Sequence, residues 1–311
     1  HHGMIYAAVA NLGHVLLLCS SGLSIPMVTI RCANRAHYQQ LYRTEDSQAE
    51  PFEVVSKSTI ATSALRDVGV HAGRSVLDVG FGSGHLLRQW TDIFSHRYGV
   101  EPVFEAAQGV RMRDPSIHAV VAEAEYLPFR EEMFDVVSCS HVLEHLGDDT
   151  QAILEMRRVL RRDGLLIVGV PGEGYRDDDP LHYRKYCFRS LQDLALRAKL
   201  SIKLIRAYGS PLFAMCYTIL GRVARLLEPK SMMLANGIDH LTITTIDDVA
   251  PPRVIMQRGP RLPGLLNRLA RIIYRRWITP ILVSVYIVDA RLARYSIRQP
   301  IERWLVMEKT S

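Results

Sequence analysis

The run Asp78-Val79-Gly80-Phe81-Gly82-Ser83-Gly84 follows the apolar stretch Ser75-Val76-Leu77 and precedes the helix-like His85-Leu86-Leu87-Arg88-Gln89-Trp90. A strand that stops at an acid, turns through three glycines and opens a helix brings bare backbone up to a nucleotide-like ligand, because glycine lacks the Cβ that would block approach. The spacing is G-x-G-x-G with an acid two residues ahead of the first glycine. The dinucleotide fingerprint is G-x-G-x-x-G with its acid about 20 residues further on, so the pattern favours a different adenosyl ligand. Glu101, at a strand end downstream of the loop, is placed to accept from ribose hydroxyls. Candidate proton acceptors lie later in the chain: His141, His145, Asp179, His182, Tyr183 and Tyr186, with His182 the first choice. His141 and His145 stand at i, i+4, a metal-like spacing, but the sequence offers no third ligand and no metal site is expected.

The elements that must hold these groups alternate. Strands are expected at 75–79, 97–101, 118–122, 134–138, 165–170 and 201–207, and helices at 84–94, 103–111, 148–160 and 190–199. Such alternation makes an α/β fold, a parallel sheet covered on both faces. Ser190 suits a helix N-cap and Gly164 closes the preceding helix.

Residues 76–84 resemble motif I of the class I S-adenosylmethionine (SAM)-dependent methyltransferases, type 11-like, in their small-molecule and lipid branch. Further stretches fall in that family's order: Tyr98–Pro102 after the second strand, Ala122–Phe129 and Phe134–Ser138 for the third loop and fourth strand, His141–Leu146 after it, and Arg158–Val168 for a helix, turn and fifth strand. The resemblance implies a Rossmann-like, seven-stranded, mostly parallel sheet with an antiparallel last strand. It implies SAM as cofactor and S-adenosylhomocysteine as product. It places Asp78, Gly80, Phe81, Gly82 and Gly84 at the methionine end, Glu101 and Pro102 at the ribose, Glu123 (with Ala124, and Glu125 as the alternative acid) at the adenine, and Ser140 and His141 on the methyl-transfer face. His182, His141 and Tyr186 are the catalytic candidates. Methyl transfer is an in-line displacement at an already activated carbon, so alignment and proton removal are the protein's main tasks.

The seventh strand, which the resemblance implies is antiparallel at the sheet edge, is missing after Ala207, and Arg303–Glu308 is the candidate for it. The expected division is an N-terminal extension with lid helices over 1–60, a cofactor-binding core over 61–208, a helical insertion or substrate cap over 209–302, and a final strand over 303–311. Residues 251–311 carry twelve Lys and Arg against three acids, a net of +9 in a chain of +6. Leu265–Trp277 reads as a basic amphipathic helix, packed on the protein itself, lying on an anionic membrane, or facing nucleic acid. The apolar run 277–288 is too short to span a bilayer. His1-His2-Gly3 reads as a tag remnant, and Met4–Ile30 lacks any charged residue, as an anchor, a packed segment or an upstream extension would.

A chain of 311 residues, 48% hydrophobic and 23% charged, is enzyme-sized, and its five cysteines lack disulfide or zinc spacing. The expected location is cytoplasmic, with membrane association as the alternative. The leading reading is methyl transfer to a small-molecule or lipophilic acceptor, lipid- or glycan-linked acceptors included. A nucleic-acid methyltransferase is disfavoured because Ser140-His141-Val142-Leu143 replaces the Asn/Asp-Pro-Pro-aromatic turn of amino-methylating base enzymes. A non-catalytic SAM-binding partner protein is the third reading. The sequence leaves the oligomeric state open.

Overall fold

The computed structural model describes residues 16–18, 24–26, 38–39, 52–175, 182–208, 276, 280–281, 284–285, 288 and 302–310. The expected helix at Leu265–Trp277 lies outside them except for Arg276, as does most of 1–51 and Asp179. A short antiparallel pair, β1 (Leu16–Leu18) and β2 (Ser24–Pro26), stands apart from the main sheet. The main body runs α1 (Phe52–Asp67), β3 (Gly73–Val79), α2 (His85–Gln89), β4 (Phe94–Glu101), α3 (Phe104–Arg113), β5 (Ile117–Val121), β6 (Phe134–Ser140), a 3₁₀ turn at Leu143–His145, α4 (Asp149–Val159), β7 (Leu160–Pro171), α5 (Phe188–Arg197), β8 (Leu200–Tyr208) and β9 (Glu302–Lys309).

Seven strands form one sheet in the order β5-β4-β3-β6-β7-β9-β8. The first five pair in parallel, and β9 is antiparallel to both β7 and β8. Successive residues of the central strands feed opposite faces: Val76, Val136 and Ile167 pack into one core, Leu77, Val137, Leu166 and Val168 into the other. A strand buried on both faces reads as an unbroken apolar run, which is why period-2 alternation is absent from these segments.

Four details depart from expectation. The antiparallel strand forms, but second from the sheet edge, because β8 pairs with its far side. The helix after the glycine loop ends at Gln89 instead of 94: the Arg97 guanidinium donates to the carbonyl of Leu87 at 3.0 Å and to Thr91 Oγ1 at 2.9 Å, satisfying a helix-end acceptor early. Strand β7 begins at Leu160, where an irregular register opposite Phe134 lets the chain pass directly from α4 into the sheet. Helix α1 buries Ile60, Ala61, Ala64 and Leu65 in the core and so runs across residue 60, where the extension was expected to end. Among the described residues, no helix is long and apolar enough to cross a membrane.

Candidate active site

The carboxyl ends of β3, β4, β5, β6 and β7 lie side by side, the place where open α/β sheets bind ligands. At the end of β3, Gly80, Gly82 and Gly84 all take positive φ, of 73°, 53° and 74°. Residues with a Cβ resist that region by about 1–2 kcal/mol each, so the loop requires its glycines. A Cβ on Gly80 would also stand 2.2 Å from Val142 Cγ2.

Two buried acids flank the loop. Asp78 faces Ser138 across the β3–β6 register, and Ser138 Oγ donates to its carboxylate at 2.6 Å. Burial raises the Asp78 pKa, the Ser138 hydrogen bond opposes this, and the charge of Glu101 adds to it, leaving the group at about 7. Glu101, 7% exposed at the end of β4, accepts from the backbone N–H of Gly82 at 3.2 Å and of Val103 at 3.4 Å. Burial again outweighs those donors and sets its pKa at about 7. Pro102 and Glu123 are half-buried beside it, and Phe81 and Ala124 are buried. Glu125, the alternative acid for the adenine, is 2% exposed.

The β6 end carries the second half of the site. Ser140 Oγ is buried with no hydrogen-bond partner among the described residues. His141 takes φ 54°, and its N–H donates to the carbonyl of Gly169. Its ring lies between two carboxylates, with Nδ1 3.3 Å from Glu144 and Nε2 3.5 Å from Glu302 of β9. These are charge contacts, too poorly aligned for hydrogen bonds. Burial and Lys57 disfavour the imidazolium, yet Glu302 and Glu144 prevail and raise the His141 pKa. Glu144 is fully buried, which by itself would raise its pKa, but His141 and then His145 bring it down to about 2.

His182 stands at the same place. Tyr183 N–H donates to the carbonyl of Glu144 at 2.7 Å, and the His182 ring meets His145 edge-on at 4.6 Å. From the N-terminal segment, the Tyr38 hydroxyl lies 3.3 Å from His145 Nε2, while Gln39 Nε2 donates to Glu105 at the start of α3. Tyr186 does not join this group. It is 2% exposed, and its hydroxyl donates to Asp149 at 2.8 Å; burial and that carboxylate push its pKa up, so the phenol supports the core and is no base. A cavity of about 360 Å³ lined by Val70, Phe94, Asp135 and Leu165 lies at the opposite, amino-terminal edge of the strands. Glu144, His145 and His182, the first buried and the two histidines half-buried, come together here; the i, i+4 pair His141/His145 does not reveal this in sequence, because His182 joins from a distant segment.

Residues 77–168 match the family described as a methyltransferase domain. This segment is a methyltransferase domain. Its matched span contains the glycine loop, both buried acids and the β6 turn. Among curated relatives, the uncharacterized methyltransferase YcgJ of Bacillus subtilis is 28% identical over 126 residues, covering 38% of this chain and 47% of the relative. The ubiquinone/menaquinone biosynthesis C-methyltransferase UbiE of Hahella chejuensis is 33% identical over 114 residues, covering 32% and 44%. The chain thus spans less than half the length of either. Among solved structures, a chain from the complex between the Haloferax volcanii Trm112 methyltransferase activator and a protein assigned as a methyltransferase has a TM-score of 0.52 at 14% identity, covering 88% of this chain and 98% of that one. A protein from Bacillus halodurans assigned as a methyltransferase gives 0.50 at 11%, covering 81% and 100%. At these identities the structures attest the methyltransferase domain's fold alone.

Proposed function

We propose that the protein transfers the methyl group of SAM to a small-molecule or lipophilic acceptor. The observation that carries this is the joined unit of loop and acids: three left-handed glycines, Asp78 at the strand end, and Glu101 bonded to the middle glycine's N–H. Its chemistry fits the cofactor. Two carboxylates poised near neutrality can accept from hydroxyl and ammonium donors, and a Cβ-free loop admits an adenosyl group closely. The bound cofactor supplies an already electrophilic methyl carbon.

The chain's own residues then have three tasks. Glu101 accepts from the ribose and Asp78 orients the amino-acid end, with Glu123 at the adenine. Ser140 and the turn that follows line the acceptor face. His182, half-buried at the edge of that face, accepts a proton where the acceptor is a hydroxyl. Support for a lipophilic acceptor comes from relatives named for ubiquinone/menaquinone biosynthesis and from the leucine- and arginine-rich sequence Leu265–Trp277. The test is calorimetric titration with SAM, followed by measurement of S-adenosylhomocysteine formed with quinol, phenolic and phospholipid acceptors and with RNA. Absence of SAM binding rejects the proposal. Binding without turnover on any acceptor favours a non-catalytic partner protein, and turnover on RNA alone favours the nucleic-acid reading.

A further inference from the structure

We infer that Glu144, His145 and His182 form a site for one divalent transition-metal ion beside the acceptor face. Each offers one ligand atom, and these atoms lie within 4.8 Å of one another. Two imidazoles and a carboxylate are the donor set of many mononuclear catalytic zinc centres, and they leave coordination positions open for a further ligand. Ligand atoms around a bound zinc stand about 3.3 Å apart for bonds of roughly 2.0–2.1 Å, so the cluster has to tighten modestly around the ion.

A second observation points the same way. Glu144 is completely buried, and neither carboxylate oxygen has an aligned hydrogen-bond donor among the described residues. Burying a carboxylate is costly unless it is well bonded or coordinates a cation. His141, 3.3 Å away, answers part of that cost, and His145 and His182 each bring a ring nitrogen within 4.8 Å of the carboxylate.

The backbone holds the three ligands together without any ion. The 3₁₀ turn fixes Glu144 and His145 as neighbours, while the Tyr183 N–H to Glu144 carbonyl bond and the Tyr186 N–H to Pro171 carbonyl bond pin the segment carrying His182. Tyr38, near His145, adds an oxygen at the rim. Imidazole donors favour zinc-, cobalt- or nickel-type ions over magnesium, calcium or manganese. The site opens where β6 and β7 end. With the ion bound, His182 is a ligand and no longer the proton acceptor; the ion would then present an open position to an oxygen or nitrogen donor of the acceptor and ease loss of a bound hydroxyl's proton to solvent, a role that rests on the methyltransferase reading; the ion's binding does not.

The experiment uses the full chain, stripped with chelator and titrated with Co²⁺ by absorption spectroscopy, with Zn²⁺ and Mg²⁺ as competitors. The expected result is one Co²⁺ per chain with a visible ligand-field band, displaced by Zn²⁺ and not by equimolar Mg²⁺. His182→Ala and Glu144→Gln should weaken binding by on the order of a hundredfold or more, since even outer partners of metal ligands are typically worth about 10- to 100-fold. His118→Ala, at an exposed histidine on β5, should bind as wild type, and loss of binding in His182→Ala, which retains His1 and His2, excludes those two as the site. If Glu144→Gln fails to fold, His182→Ala decides alone, because His182 lies on an irregular segment at the rim. No Co²⁺ binding, or binding unaffected by His182→Ala, overturns the site. Displacement by equimolar Mg²⁺ overturns the transition-metal assignment. SAM binding measured on the stripped protein keeps this result separate from the fate of the methyltransferase reading.

Discussion

The backbone N–H of Gly82 donates to Oε2 of Glu101 at 3.2 Å, so the middle glycine of the loop and the acid at the end of the next strand form one unit. The loop is thereby held in its left-handed form before any ligand arrives, and the acid is aimed across it.

Gly82→Val should abolish SAM binding. Its φ of 53° disfavours a β-branched side chain, and its N–H fixes Glu101. Calorimetry should show no heat of binding while the circular dichroism spectrum stays native. Undiminished affinity in a folded variant would remove the loop from the site.

Glu101→Ala should weaken SAM binding by about 30- to 150-fold, the equivalent of roughly 2–3 kcal/mol for a charge-assisted hydrogen-bond pair. Glu125→Ala should fall closer to wild type, and Glu123→Ala in between. Equal losses for Glu101 and Glu125 would move the adenosyl site towards the third loop.

SAM affinity should rise with pH through about 7. Asp78 and Glu101 sit near that value when burial keeps them protonated, and the ionised forms are the acceptors, so binding at pH 6 must expel protons. Apo stability should move in the opposite sense. Both groups have folded pKa values above their unfolded ones, so the folded state holds extra protons and loses stability as pH climbs from about 4 to 7. Calorimetry in buffers of different ionisation heat reads the first effect, thermal melts the second. A flat affinity profile between pH 6 and 8 would contradict the assignment.

Tyr186→Phe should lower stability by about 1–3 kcal/mol, since it strips Asp149 of a buried hydroxyl donor. Denaturant unfolding measures the loss. SAM affinity should stay within about twofold of wild type, and a large loss of turnover at unchanged stability would restore the tyrosine as a base.

The segment Leu265–Trp277 should bind anionic vesicles in preference to neutral ones, with binding released by salt, at about 1 kcal/mol per arginine near the surface. Sedimentation with phosphatidylserine and phosphatidylcholine liposomes decides this, and equal partitioning would sink it.

The cofactor half of the site was legible in sequence because its signals are local. Asp78, the three glycines and Glu101 sit within one strand-turn-helix-strand unit, where spacing along the chain is spacing in space. The acceptor half was not. Glu144 and His182 meet through a backbone bond between distant segments, and no periodicity announces that. Tyr186 sits at a strand-end loop by sequence, yet packing turns its ring inward, a choice made by the α4 carboxylate it bonds. Arg303–Glu308 was readable as a strand from its apolar content, but its position between two others depends on where β8 pairs.

That position also orders the assembly of the sheet in time. β7 and β8 share no direct ladder, and each is completed only when Glu302–Lys309 slides between them. Joining Tyr208 to its register partner Glu302 is thermodynamically mild, because closure entropy grows by only about 0.6 kcal/mol per doubling of loop length. Kinetically it is late, as contacts of such long sequence separation are. Until then the apolar run Leu165–Val170 offers an unpaired edge to other chains, and folding yield rather than final stability is where this architecture is most exposed.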